Sequence, residues 1–353
     1  MNREDKIKSP STRYQGSKRR ILPWLKTIFE DLDFETALDG FGGSGSVSYL
    51  LKKMGKKVTF NDILKSNYQA GVAFIENSKI VLTEEDLKFI FDTKKTKSMD
   101  VISRLYQGVY FLDEENLILD KLILNIESLA DKYNGEFLRY KKALAYHILS
   151  QSCLSKRPFN LFHRKNLNLR TSDVKRSFGN KITWDKTFEE HFRKFNKEYS
   201  ELVINNQKTN RAINQDVFNI ENQYDLVYLD PPYTRKHSNS PQNYADMYHF
   251  LEGMLNYEKW ATNIDISRVH KPFICNSSQW NNDITKNFDK LFNKFSESII
   301  VVSYGNKGKP SINTIVKLMK KYKKSVTTRS QPHTYKLNRN NGKGYREVII
   351  IGR

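Results

Sequence analysis

Two cysteines in 353 residues, at positions 153 and 275, leave no CxxC pair and no zinc-ligand spacing. Neither a disulfide framework nor a zinc-finger protein fits such a chain, and a reducing cytoplasm is the expected setting. No apolar run approaches the length that spans a bilayer, and the opening MNREDKIKSP lacks the apolar centre of a signal peptide. Secretion and membrane insertion are therefore not expected. Internal repeats and low-complexity linkers are missing as well. Acidic residues are few beside basic ones, and the formal charge is +20. Such a surplus points to nucleic acid, an acidic membrane surface or an acidic ligand as partner.

The charge is unevenly placed. Residues 1–26 carry a net +6, residues 136–176 a net +8 and residues 305–353 a net +12, so the remainder of the chain is net −6. A Lys-rich genome would spread its excess more evenly. With 38% hydrophobic and 12% aromatic residues the chain has enough apolar material for one large domain or two modest ones.

Strand and helix signals alternate at both ends. Glu35–Asp39 reads as a buried strand, Gly40–Gly45 as a glycine-rich turn, Ser46–Met54 as a helix closed by Gly55, and Lys57–Asp62 as a second strand. Residues 84–154 then show apolar residues at helical spacing. Residues 155–184 are basic, Asn-rich and aperiodic, which predicts an exposed loop or hairpin, followed by a helix near 185–204. Strands are expected again at 225–230, 298–304 and 345–352, with an amphipathic helix at 311–322. The pattern predicts an α/β fold: one Rossmann-like, mostly parallel sheet interrupted by a mainly helical insertion. The expected division is 1–78 and 205–353 for the sheet, with 79–204 inserted between them.

Two constellations carry chemistry. DGFGGSGSV at 39–47 lies where a strand turns into a helix, so that backbone can approach a ligand and free N–H groups face it. Alone this is a weak signal, because Ser48 stands where the dinucleotide fingerprint has its third glycine. Asp62 strengthens it: 23 residues after Asp39, at the end of the next strand, its carboxylate can take both ribose hydroxyls of a nucleotide-like cofactor. The Gly-Ser-Lys turn in RYQGSKRRILPWL at 13–25 can close over the same ligand, although a solvated basic terminus would look alike.

The second constellation is LVYLDPPYT at 226–234. Its apolar strand delivers Asp230, Pro231, Pro232 and Tyr233 to the carboxyl edge of the sheet, where α/β proteins bind ligands. The prolines stiffen the turn and leave carbonyls as acceptors. An aspartate, a carbonyl and an aromatic face suit a planar ring with an exocyclic amine. The lone pair of such an amine is delocalised. Acceptors fixed on both of its protons favour a pyramidal nitrogen and stabilise the charge that develops as it attacks. A strand-ending Asp that merely caps a Pro-rich turn is the plainer alternative, and common for DPPY in isolation.

In this order RYQGSK (13–18), DGFGGSGSV (39–47), ND (61–62), QD (215–216) and DPPY (230–233) resemble the D12-type, Dam-like DNA adenine-N6 methyltransferases of the α group. SYGNKGKPSI at 303–312 and REVIIIG at 346–352 are similar to that family's closing elements. The resemblance implies S-adenosylmethionine as cofactor. It would be held by Tyr14, Gly16, Ser17, Lys18, Asp39, Phe41, Gly43, Gly45 and Asp62, with Asp216 on its adenine. Asp230, Pro231, Pro232 and Tyr233 would hold the target adenine, and Tyr304 would add a second aromatic wall or pack in the core. It further implies double-stranded DNA as substrate, base flipping, direct methyl transfer without a metal, action as a monomer, and a cognate restriction endonuclease as functional counterpart.

Residues 156–176 are the expected DNA reader. Arg157, Asn160, His163, Arg164, Lys165 and Arg170 offer the donors that suit base edges and phosphates, and Phe159 and Phe162 can anchor the segment or wedge a base step. A solvated basic loop is the bland alternative. RPFNLFHRKN is similar to the recognition segment of adenine methylases that read ATG-containing sites such as CATG or GGATG. YADMYHFLEGM at 244–254 also resembles the family, and reads equally as a helix beside the site. A solitary regulatory DNA methylase is an alternative to the restriction partner, and four further rivals remain: cytosine-N4 methylation, RNA adenine methylation, a non-catalytic DNA-binding subunit, and a nicotinamide oxidoreductase. Asp rather than Ser before PPY weighs against the first, intact Asp62 and Asp230 against the third, and the missing third glycine against the last.

Overall fold

The structure, a computed structural model, describes residues 7, 9–10, 12–92, 99–172, 181–235, 243–275, 278–281, 283–332 and 344–353. Among the described residues nine strands are formed: β1 (Thr36–Asp39), β2 (Lys57–Asn61), β3 (Arg211–Ile213), β4 (Leu226–Leu229), β5 (Thr234–Arg235), β6 (Ile299–Gly305), β7 (Gly308–Lys309), β8 (Val326–Pro332) and β9 (Arg346–Gly352). Seven build one sheet in the order β3-β2-β1-β4-β6-β9-β8, and β5 pairs with β7 as a separate ribbon. Neighbours from β3 to β6 are parallel, whereas β9 runs antiparallel to β6 and to β8. The α/β, mostly parallel Rossmann-like sheet is thus present. β3 and β8, which the sequence pattern does not announce, extend it at its two edges.

Period-two alternation places the sheet between two apolar layers. Ala37, Leu226, Tyr228, Val301, Ile349 and Ile351 face one cluster. Leu38, Val227, Leu229, Ile300, Val302 and Ile350 face the other. Buried on both faces, these strands read in sequence as unbroken apolar runs, as parallel strands do. Between β2 and β3 the chain is helical, and its longest helix is Gly135–Lys156. That helix is buried all round over its second half, and its apolar residues continue the first cluster without a break. Among the described residues no helix is long and apolar enough to cross a membrane.

Chain order decides where a ligand can sit. From β1 the chain adds β2 and then β3 on one side, and then returns to add β4 and β6 on the other. The carboxyl ends of β1 and β4 therefore flank the point where strand order reverses, and the crevice of such a sheet opens there. Those two ends carry Asp39 and Asp230.

Candidate active site

A cleft of about 960 Å³ opens at this point. Its first wall is the turn after β1, where Gly43 and Gly45 have left-handed φ of 51° and 72°. A Cβ on Gly43 would stand 3.1 Å from the Tyr14 ring, so both the conformation and the space call for glycine here. The carboxylate of Asp62 fixes the turn, accepting from Gly43 N and Leu64 N at 2.8 Å each. Asp39 is 1% exposed; its Oδ2 accepts from Ser48 Oγ at 2.6 Å, and its Oδ1 has no partner among the described residues. Ser48, which breaks the dinucleotide fingerprint, thus serves Asp39.

The segment 12–18 forms the roof. The Tyr14 ring stacks on Tyr248 at 4.8 Å and on Tyr244 at 5.6 Å, and Gln15 N donates to the Tyr248 hydroxyl at 2.8 Å. Both tyrosines belong to the helix Tyr244–Met254, which does pack beside the site. Ser17 Oγ lies 3.1–3.2 Å from the hydroxyls of Ser44 and Ser46, tying roof to turn. Lys18 reaches across the cleft: its Nζ lies 2.8 and 2.7 Å from the two carboxylate oxygens of Asp230 and 3.6 Å from Glu347 Oε1.

The opposite wall is Asp230–Tyr233. The Pro232 carbonyl accepts from Trp280 Nε1 at 2.7 Å, and the indole meets the Phe41 ring edge to face at 5.1 Å. Tyr233 is held from behind by Tyr304, its ring 4.8 Å away, and at its hydroxyl by Tyr345 at 2.7 Å. Tyr304 is fully buried, so core packing, the second of its two expected roles, is the one realised. Burial raises three carboxylates. Asp39 is pushed up to about 7 despite its bond from Ser48, Asp62 to about 6 despite the turn N–H groups, and Asp230 to about 6 despite Lys18.

Tyr14, Gly16, Ser17, Lys18, Asp39, Phe41, Gly43, Asp62 and Asp230–Tyr233 all line this one cleft. Gly45 shapes the turn instead, as the residue preceding the helix Ser46–Lys53. Asp216 is not itself among the residues that line the cleft. Its neighbours Gln215 and Val217 line the cleft, while its own carboxylate accepts from Phe218 N, Ser278 Oγ and Gln279 N and so fastens the turn that carries Trp280.

The basic segment is a loop in part: among its described residues short helical turns at Pro158–Asn160 and Asn168–Thr171 flank an irregular stretch 161–167. Arg157 is 1% exposed, and its guanidinium donates to the carbonyls of Leu161, Arg164 and Lys165, which gather the segment around it. Arg170 makes a two-pronged ion pair with Glu115 at 2.8 Å. Both are engaged within the fold. His163 is half-buried, and burial pushes its ring below the ordinary value. Arg164 and Lys165 are exposed, and Asn160 lies at the cleft beside Phe159. Phe162 is the anchor, stacked on Phe250 at 4.9 Å, whereas Phe159 is 52% exposed with φ of 63°. Lys175 and Arg176 fall outside the described residues.

Trp280 and Glu347 are site residues that the sequence does not mark. A lone Trp in SSQW and a Glu at the start of an apolar strand have no telling spacing, since only folding brings the indole to the cleft and the carboxylate behind its DPPY wall.

Compared with known proteins, residues 14–306 match the family described as D12 class N6 adenine-specific DNA methyltransferase. The chain is 31% identical over 355 residues to the type II methyltransferase M2.HphI of Haemophilus parahaemolyticus, with 98% of each chain covered. It is 20% identical over 350 residues to the type II methyltransferase M.NlaIII of Neisseria lactamica, covering 94% of this chain and 95% of the relative. It is also 23% identical to modification methylase LlaI of Lactococcus lactis subsp. lactis, over 96% of this chain and 54% of that longer protein.

Proposed function

We propose, from the premise that the chain belongs to the D12 class of N6 adenine-specific DNA methyltransferases, a division of labour within the cleft. The glycine-turn half takes the methyl donor, S-adenosylmethionine, and the DPPY half takes an adenine flipped out of duplex DNA. The supporting observation is that the Asp39–Asp62 turn and Asp230–Tyr233 open on one cleft where strand order reverses. The residues suit such a donor: a buried carboxylate oxygen on Asp39 without a partner among the described residues, the Asp62 carboxylate, a turn that a Cβ would crowd, and an apolar flank of Phe41 and Trp280. S-adenosylmethionine, when bound, supplies an electrophilic methyl group on a sulfonium.

The chain's own residues do the rest. Asp62 accepts ribose hydroxyls, and Asp39 faces the donor's positive charge. A target adenine reaches the cleft only by leaving the base stack. Asp230 and the Pro231 carbonyl accept its two amine protons, and Tyr233, braced by Tyr304 and Tyr345, is the stacking face. Two fixed acceptors on the amine stabilise the charge that develops on nitrogen as it attacks. The helical insertion, taken as 79–204, is the target-recognition part, with Asn160, His163, Arg164 and Lys165 toward the DNA and Phe159 at the cleft mouth. One copy carries every group named, so the enzyme is proposed to act as a monomer. Its proposed role is the protective partner of a restriction endonuclease.

Incubation with adenine-containing duplex DNA and labelled donor is expected to yield N6-methyladenine on nucleoside analysis. Methyl groups on cytosine N4, on RNA alone, or on neither would refute the reading. Expression in a host without adenine methylation, followed by modification-sensitive sequencing, is expected to show one short motif modified throughout; an ATG-containing site is the expectation. Scattered modification would argue against a restriction partner.

A further inference from the structure

Behind the DPPY wall lies a charged group that this chemistry does not yet use. Glu347 sits on β9, paired with Gly305 of β6, and is 1% exposed. A carboxylate so far from water needs partners. Its Oε1 accepts from Ser303 Oγ at 2.7 Å and lies 3.6 Å from Lys18 Nζ. Its Oε2 lies 3.5 Å from the Tyr345 hydroxyl, which in turn meets the Tyr233 hydroxyl. The Lys18 side chain is 5% exposed and stands between two carboxylates, bonded to Asp230 and just beyond bonding distance of Glu347.

This spacing matters because Asp230 has more than one claimant. In the proposed reaction its oxygens accept the target amine, yet Lys18 already occupies both of them. A short movement of the ammonium, closing 3.6 Å to an ordinary charge-assisted bond of roughly 2.8 Å, would transfer it to Glu347 without exposing it to water. Resting on the proposed use of Asp230 on the amine, we infer that Glu347 is a positioning residue that receives Lys18 when the target adenine docks on Asp230. Ser303 holds the receiving carboxylate in place, and the Tyr345–Tyr233 pair couples it to the stacking wall.

The test is Glu347→Gln, which keeps shape and the bond from Ser303 while removing the charge that attracts Lys18. Its kcat is expected to fall roughly tenfold, less than the roughly 10²–10³ of a direct contact removed, because Lys18 then stays in competition with the amine for Asp230, with donor and duplex affinities within about twofold of wild type. The groups facing Asp230 are Lys18, Glu347, Asp39, Tyr228 and Tyr233. Removing the Glu347 charge takes away a repulsion, so the acid limb of the pH–rate profile, expected near pH 6, should move lower. A merely structural role would not move that limb. In a Lys18→Gln background the same substitution should cost nothing further.

Unchanged kcat with an unmoved limb would overturn the inference. So would loss of donor binding, which would make Glu347 a support of the pocket as a whole, and so would a full additional cost in the Lys18→Gln background. If the wild-type enzyme yields no N6-methyladenine, the functional reading itself fails, and the two failures are distinguished by that control.

Discussion

Asp230 follows β4 half-buried, beside the carboxylates of Asp39 and Glu347 and one ammonium. Burial lifts its carboxyl to about 6, and the proposed role needs the ionised form as acceptor. Below that value the group is protonated and accepts poorly; above it the carboxylate is available. The kcat/KM should therefore rise with pH through about 6, which its profile between about pH 5 and 8 would check. Asp230→Ala should abolish transfer and leave duplex binding within a few-fold, since the side chain meets the amine and not the phosphates. Retained turnover would remove Asp230 from its role. The importance of this residue was legible because the chemistry is written contiguously in DPPY. That Lys18 lies against it was not, since 212 residues separate the two.

At the scale of the element, segment 155–172 shows how a correct charge count misled about position. Arg157 resembles the arginines around it in sequence, yet it is the post on which the segment is hung. Arg157→Ala would strand the carbonyls of Leu161, Arg164 and Lys165 and should cost about 3 kcal/mol of stability, read from the denaturation midpoint. Replacing exposed Arg164 should leave that midpoint unchanged. β3 and β8 are invisible in the sequence for a related reason. β3 has three residues and β8 lies mostly exposed at the edge, so neither bears the apolar imprint of the core strands. The helix at 46–54 and the strands leading to Asp39 and Asp230 carry that imprint and were placed to within a residue or two.

Within the whole molecule, the net +8 of residues 136–176 overstates what DNA can feel there, because acids from outside the stretch pair with it. Lys141 pairs with Asp86, Lys156 and Arg170 with Glu115, and Arg139 with Glu76, all within the basic stretch 136–176. The exposed remainder still favours a polyanion, and the logarithm of duplex affinity should fall linearly with the logarithm of salt concentration. Alanine at both Arg164 and Lys165 should reduce that slope by about 1 for each phosphate these two side chains neutralise. An unchanged slope would place the duplex on another face.

The sequence by itself determined the alternation of strands and helices, the two ligand-bearing turns and, through their order, the family, because each rests on neighbours within a few residues. Only the tertiary structure decided which basic groups face outward, which tyrosines roof the cleft, and that Trp280, Lys18 and Glu347 converge on the DPPY wall. Those outcomes depend on burial and charge pairing between segments far apart in the chain, and local pattern does not encode them.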